Sequence, residues 1–331
     1  MLVSIGDLAQ TFLLKRQSAQ AKADLQRLTE TFASGRHADV AAHLRGDMAA
    51  LVSIDTTLAR IAGHASVARD AAMALSVRQV ALGQIDTLSG DAASQLLASG
   101  QGGAVATDGA ARMVASQFQT FVAALNQRVA DRSVFAGTAS DVAALAPPAD
   151  IVAAARAAVG AASGPADFEA LLDGWLADPA GFAAAAYRGG PPAPPLPVAA
   201  GEVVAADATA LDPALRQTAK GLLMGALLDG GAFAGDPATR AHLARRAGEV
   251  LAASAADRAE LAGRLGQAEA RIAEAQSRHQ SERAALEIAR GGLVAADPYD
   301  TATALQETEA RLERIFTLTA RLSRLSLAER L

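Results

Sequence analysis

Both ends of this chain carry apolar stripes with the four-then-three spacing of a heptad seam, and that symmetry limits the fold more than any single motif. Near the N-terminus, Leu14, Ser18, Ala21, Leu25, Leu28 and Phe32 mark one face of a helix. Ser34-Gly35 is a natural place for it to stop, because glycine readily takes the left-handed C-terminal position. A longer seam follows at Leu51, Ile54, Leu58, Ile61, Ala65, Ala68, Ala72, Leu75 and Leu82. Its alanines let a partner helix approach closely. The glycine-bearing stretch 96–110 predicts a break, after which Val114, Phe118, Phe121, Leu125 and Val129 resume the pattern and lead it into RSVFAG.

The C-terminal end mirrors this order. Leu251, Leu261, Leu265, Ala268, Ile272, Ala275, Leu286 and Ala289 form a seam whose outer face carries mixed charges, and Gly291-Gly292 predict its end. Asp300 or Thr301 is the expected cap of a last amphipathic helix with Leu305, Leu312, Ile315, Leu318, Leu322 and Leu325 along one face. Single helices with such exposed stripes are not stable in water, so the two chain ends are expected to pack on each other. The stripe left over is expected to meet other subunits.

Between the halves the texture changes. Pro147-Pro148, Gly164-Pro165, Asp178-Pro179 and the run GGPPAPPLPVAAGEVVA at 189–205 exclude long helices. Short helices fit 150–159 and 166–177, with Trp175 as local anchor, and VAAGEVVA fits a small hairpin. Residues 215–229 read as helix again. The expected class is mainly α: an elongated helical bundle or coiled coil of N- and C-terminal segments, with a small mixed α/β or irregular insert. The expected divisions are an assembly helix over 1–40, rod halves over 41–137 and 215–292, the insert over 138–214, and a second assembly helix over 293–331. Gly137 marks where the rod is left.

Several functions are disfavoured. Cysteine is absent, which removes disulfides, thiolate metal sites and a cysteine nucleophile. The five histidines, His37, His43, His64, His242 and His279, show no HxH or HExxH spacing, and there is no G-x-S-x-G elbow, dinucleotide fingerprint or Walker loop. No catalytic residue, metal or cofactor is therefore expected, and GQGG (100–103) and DGGAFAGD (229–236) read as connections between helices. A net charge of −5 gives no reason to expect nucleic acid. Membrane insertion is not expected either, since no uncharged apolar run spans a bilayer. The first residues, with Asp7 inside the apolar stretch and no basic region before it, make a poor cleavable signal. The arginines of the last helix alternate with Glu307, Glu309 and Glu313 in its first half, as a solvated face does. Later Arg321, Arg324 and Arg330 predominate, which suits the helix dipole.

Three segments carry a family resemblance. LQRLTETFASGRHADVAAHL (25–44) closes a helix on Ser34, Gly35 and Arg36; FQTFVAALNQRVADRSVFAGTASD (118–141) places Asn126, Arg132, Phe135, Ala136, Gly137 and Thr138; and residues 282–327 run helix, an Asp297/Tyr299/Asp300 break, then an amphipathic helix. Together they resemble the flagellin superfamily and, within it, the hook-filament junction proteins (hook-associated protein 3) more than filament flagellin. The family's Ser-Asp-Asp-Pro stretch is replaced here by ADVAAHLRGD at 38–47, with no proline.

The resemblance implies a structural protein of the bacterial flagellum, exported without a cleaved signal and found outside the cell. Its partners would be hook-associated and filament subunits, copies of itself, and an export chaperone on the C-terminal helix. The implied assembly surface comprises Ile5, Leu8, Phe12, Leu14, Leu25, Leu28 and Phe32 with Leu305, Leu312, Ile315, Leu318, Leu322 and Leu325. Gly35, Arg132, Phe135 and Gly137 are implied as structural positions, Phe135 plugging the end of the bundle and Gly137 supplying a turn with positive φ. Filament flagellin and a cytoplasmic helical scaffold or signalling module are the alternatives.

Overall fold

The computed structural model describes residues 5–100 and 102–328, with the side chains of 5–8, 10, 11 and 323–328 left undescribed. The helices are α1 (Ile5–Ser34), α2 (Val40–His43), α3 (Ala49–Ser99), α4 (Gly103–Leu125), α5 (Pro148–Val159), α6 (Pro165–Ala177), α7 (Pro213–Asp229), α8 (Pro237–Val294) and α9 (Pro298–Ala328). Two small antiparallel hairpins join β1 (Arg128–Val129) to β2 (Arg132–Ser133) and β3 (Leu196–Ala199) to β4 (Glu202–Val204). The mainly α class, the two short helices of the insert, the β3–β4 hairpin and the helix over 215–229 are as expected. The chain forms two compact units, one from residues up to Ile61 together with those from Gln280 onward, the other from Ala62 to His279.

Four local expectations need correction. The break expected at 96–110 is much shorter, because α3 continues to Ser99 and α4 begins at Gly103 and takes in the alanine-rich turn after it. The Thr107 hydroxyl donates to Gly103 O at 3.2 Å there. The helix expected to run into RSVFAG instead stops at Leu125. Asn126 ends it by donating from its side chain to Leu145 O (3.1 Å) and accepting from Leu145 N (2.8 Å), so one amide replaces two backbone partners. Val129, placed on the helical seam, lies in β1.

Gly291 and Gly292 do not end their helix, and α8 continues to Val294. It stops where Ala295 leaves to bridge Arg36. The last helix is capped by Asp297, not by Asp300 or Thr301. Its carboxylate accepts from Tyr299 N (2.8 Å) and Asp300 N (3.1 Å), with Pro298 as the first helical residue, which has no N–H to satisfy.

In the 62–279 unit, α3 and α8 run antiparallel. Gln79 donates to Ala262 O at 2.9 Å, and the Arg258 guanidinium meets Asp86 at 3.0 Å. The buried Arg258 also bonds Thr218 and Ser254, which ties in α7. Packing of α4 on α7 is close: a Cβ at Gly225 would strike the Val114 side chain. Ile151 is the deep anchor of α5, Phe168 and Leu172 are those of α6, and Phe182 is that of the turn after it, while Trp175 is half-buried, edge-on to Phe182 at 5.6 Å. Phe135 is fully buried in the same core. Gly137 has φ +58, and a Cβ there would also collide with the Pro191 carbonyl, so two separate constraints require glycine.

One buried ion pair ties the segment after α4 to the proline run. Arg78 donates to Val134 O (2.7 Å), Ala206 O (2.9 Å) and Asp207 (2.7 Å), and Asp207 in turn accepts from Ala193 N at 2.6 Å. Burial pulls the Arg78 guanidinium below its ordinary value, and the Asp207 charge opposes that shift.

Candidate assembly interface

In the unit that holds both chain ends, α1 and α9 pair. Ala21 lies against Leu312 and Ile315, with Leu14 and Leu25 beside them. The pair is antiparallel, since the far end of α1 meets the start of α9: Ala296 N donates to Gly35 O at 3.1 Å and His37 N to Val294 O at 2.9 Å. Gly35, at φ +66, makes that turn possible. Thr31 completes the corner. Its hydroxyl donates to Arg27 O (2.9 Å) and accepts from Ala38 N (3.2 Å).

The seam that forms is not quite the one the apolar residues suggest. Among the buried and half-buried positions described on α9, Thr301, Leu305, Thr308, Leu312, Ile315 and Leu322 keep a four-then-three spacing that two threonines complete, with Ala302 and Ala304 half-buried beside its start. Leu318 falls off it and is 50% exposed. On α1 the last buried residue is Thr31, while Phe32 is 54% exposed. Leu28 is half-buried. Phe12 lies nine residues before Ala21, two and a half turns, which puts it on the opposite side of the helix at 70% exposure. The side chains of Ile5, Leu8 and Leu325 lie outside the described residues.

The pair thus closes on itself around Ala21, Leu312 and Ile315 and leaves a second apolar set uncovered. Phe12, Leu13, Phe32, Phe316 and Leu318 belong to it. Leu13 and Phe316 were not among the sequence candidates, because each sits directly beside a seam residue and periodicity assigns it no role. Lys22 covers part of Phe316, with its ammonium 5.6 Å from the ring centre, a cation-π contact that leaves the rest of the ring open.

At the α1–α9 corner an open cleft of about 640 Å³ is lined by Arg27, Thr31, His37, His43, Asp297 and Asp300, among others. The His37 and His43 rings stack with centroids 3.7 Å apart. Burial lowers the His37 pKa, and the charge of His43 lowers it further. Among the described residues no three His, Cys, Asp or Glu side chains gather as a metal site, and no helix is long and apolar enough to cross a membrane.

Arg132, Phe135 and Gly137 belong to the other unit. Arg132 is exposed on β2 and donates to the Ser140 hydroxyl at 3.0 Å.

No protein-family profile matches the sequence, and no curated protein matches it. Among solved structures the chain is similar to one described as a candidate flagellar hook-associated protein from Vibrio parahaemolyticus. The identity is 13%, the match covers 73% of this chain and 95% of that one, and the TM-score is 0.48. A likeness that distant identifies neither a family nor an activity.

Proposed function

We propose that the chain is a structural subunit of the bacterial flagellum at the junction of hook and filament, and that it performs no chemistry. The exposed set on α1 and α9 is the surface that neighbouring axial subunits cover. The observation that carries this reading is the fate of the aromatic side chains: Phe12, Phe32 and Phe316 all stand half or more exposed on one helix pair that already has its own core. Burying one phenylalanine fully is worth about 1.5–3 kcal/mol, so a neighbour that covers three gains enough to hold a joint built from many copies.

The resemblance of 25–44, 118–141 and 282–327 to hook-filament junction proteins supports the location, and Phe135-Ala-Gly-Thr138 favours the junction over the filament proper. Export through the flagellar channel without a cleaved signal follows from the same reading, with a chaperone shielding α9 until assembly.

The test is deletion of the gene, with cells imaged by electron microscopy and flagellin scored in the medium. Hooks without filaments, with flagellin lost to the medium, are the expected result. Filaments that keep their hooks but shorten in proportion to protein level would make the chain a filament flagellin. Wild-type flagella, with the protein recovered from cytosol, would make it a scaffold. A Leu318→Glu chain, altered only at an exposed position, is expected to fold and yet fail to complement the deletion.

A further inference from the structure

The run from Arg188 to Pro197 is built as a recognition ridge. Prolines at 191, 192, 194, 195 and 197 each fix φ, and each also confines the residue before it to extended backbone. Residues 192–195 accordingly carry neither helix nor ladder. Such a stretch settles into the three-residue turn of a polyproline II helix. Exposure follows that period from Gly190 onward: Gly190, Ala193 and Leu196 are half-buried, whereas Pro191, Pro194 and Pro197 are exposed, with Pro192 and Pro195 exposed beside them; Arg188 is exposed too, ahead of bends at Gly189 and Pro191. One face of the ridge lies on the protein and two proline faces stand out from it.

The inward side is held at several points. Tyr187 donates its hydroxyl to Gly190 O (2.7 Å), Thr138 N donates to Pro191 O (2.9 Å), and Ala193 N donates to Asp207 (2.6 Å). His64 Nδ1 meets Pro197 O at 3.2 Å and His279 Nε2 meets Val198 O at 2.7 Å. Among the described residues, the carbonyls of Pro192, Pro194 and Pro195 have no partner, and Arg188 makes no ion pair.

The geometry points to a docking surface for a protein with an aromatic-lined groove and an acidic rim, with Pro191 and Pro194 in the groove and Arg188 on the rim. Three features select that occupant. Flat proline rings pack well on aromatic faces, free carbonyls accept from tryptophan or tyrosine donors in such a groove, and an exposed guanidinium three residues before Pro191 in the sequence, with no ion pair among the described residues, calls for a carboxylate. Because the ridge is already ordered, docking does not incur the entropy cost of straightening a loose chain.

The intact protein is titrated into a ¹⁵N-labelled SH3 domain selective for Arg-x-x-Pro-x-x-Pro ligands, used as a probe of this groove type. Saturable shifts confined to the aromatic groove are expected. Arg188→Glu should weaken them about tenfold and the Pro191→Ala/Pro194→Ala chain at least as much. Circular dichroism of both variants is expected to match the parent, since all three side chains are exposed and the anchoring bonds use other atoms.

The inference is overturned if the intact protein gives no shifts, whether or not a free 187–198 peptide binds. It is equally overturned if the shifts survive both variants, or if the ridge instead drives self-association that the same substitutions abolish in sedimentation.

Discussion

The nine phenylalanines divide between the two units by fate. In the 62–279 unit, Phe118, Phe121, Phe135, Phe168 and Phe182 are essentially sealed from water and Phe233 packs against the same core. In the unit of the chain ends, Phe12, Phe32 and Phe316 stand half or more exposed, and so does Tyr299. Composition alone does not explain this, because both units are rich in alanine and leucine. The difference lies in how many elements surround a position. A phenylalanine on α4 meets α7 and the segments beside it; one on α1 has a single described partner helix, and two helices bury only the stripe between them.

The comparison breaks most plainly if the two groups respond alike to truncation. Phe118→Ala or Phe135→Ala is expected to cost about 3–5 kcal/mol, as removal of a sealed aromatic side chain does. Phe12→Ala or Phe316→Ala should stay within about 0.5 kcal/mol in the isolated chain, the range of surface changes. Urea unfolding of the purified protein reads both. A large loss from Phe316→Ala would mean that this ring is already covered within one chain.

Leu312→Ala sharpens the comparison inside the smaller unit. Leu312 packs on Ala21 and is nearly buried, so about 2 kcal/mol should be lost. That loss is expected to appear as faster amide exchange along α1 and α9, with the amides of α4 and α7 unchanged. Uniform acceleration across both units would show that the pair is not an independent element. Leu312 is for the same reason a poor probe of assembly, whereas Leu318, off the seam, is a good one.

How much of this was legible in the sequence depends on what holds each element. Long helices announce themselves, since a seam of three or four turns is a strong pattern, and the end at Gly35 follows from backbone sterics alone. The turn between β1 and β2 announces nothing. A two-residue hairpin turn of this kind needs positive φ at both central positions and is usually recognised by Asn-Gly or Asp-Gly. Here Ala130 (φ +47) and Asp131 (φ +62) take those angles because the surrounding contacts impose them. Val134 and Phe135 beyond the turn are buried, and Arg78 holds the Val134 carbonyl. In the same way Thr31, Thr301 and Thr308 complete the α1–α9 seam, although an apolar count passes over them. The heptad positions were there to be read; the residues filling them were not the expected type.

That strained turn gives the next smaller effect. An L-residue in the left-handed region costs about 1–2 kcal/mol, which glycine avoids while losing more chain entropy on folding. Ala130→Gly is therefore expected to stabilise the 62–279 unit by about 0.5–1 kcal/mol and to leave the other unit unchanged. A destabilised variant would show that the Ala130 methyl makes a contact worth more than the strain.

The smallest effect concerns the stacked histidines at the α1–α9 corner. Burial, and then the charge of His43, hold the His37 imidazole below its ordinary pKa, even though Asp39, Asp297 and Asp300 line the same cleft and would favour the charged ring. The unfolded chain keeps the ordinary value near 6.5, so below that pH the unfolded state binds the proton more readily than the folded one. Linkage then fixes the sign: the contribution to stability is intact above about pH 6.5 and is lost as the pH falls through the lowered folded value. Amide protection over residues 31–44 should decline on acidification while that of α4 and α7 does not. His43→Gln removes the neighbouring charge but leaves the burial, so the folded-state value rises toward the ordinary one and the decline should become smaller and level off at a higher pH without disappearing. A His37 ring that titrates at or above its ordinary value in a proton NMR experiment would mean that the three aspartates, and not the stack, govern this corner.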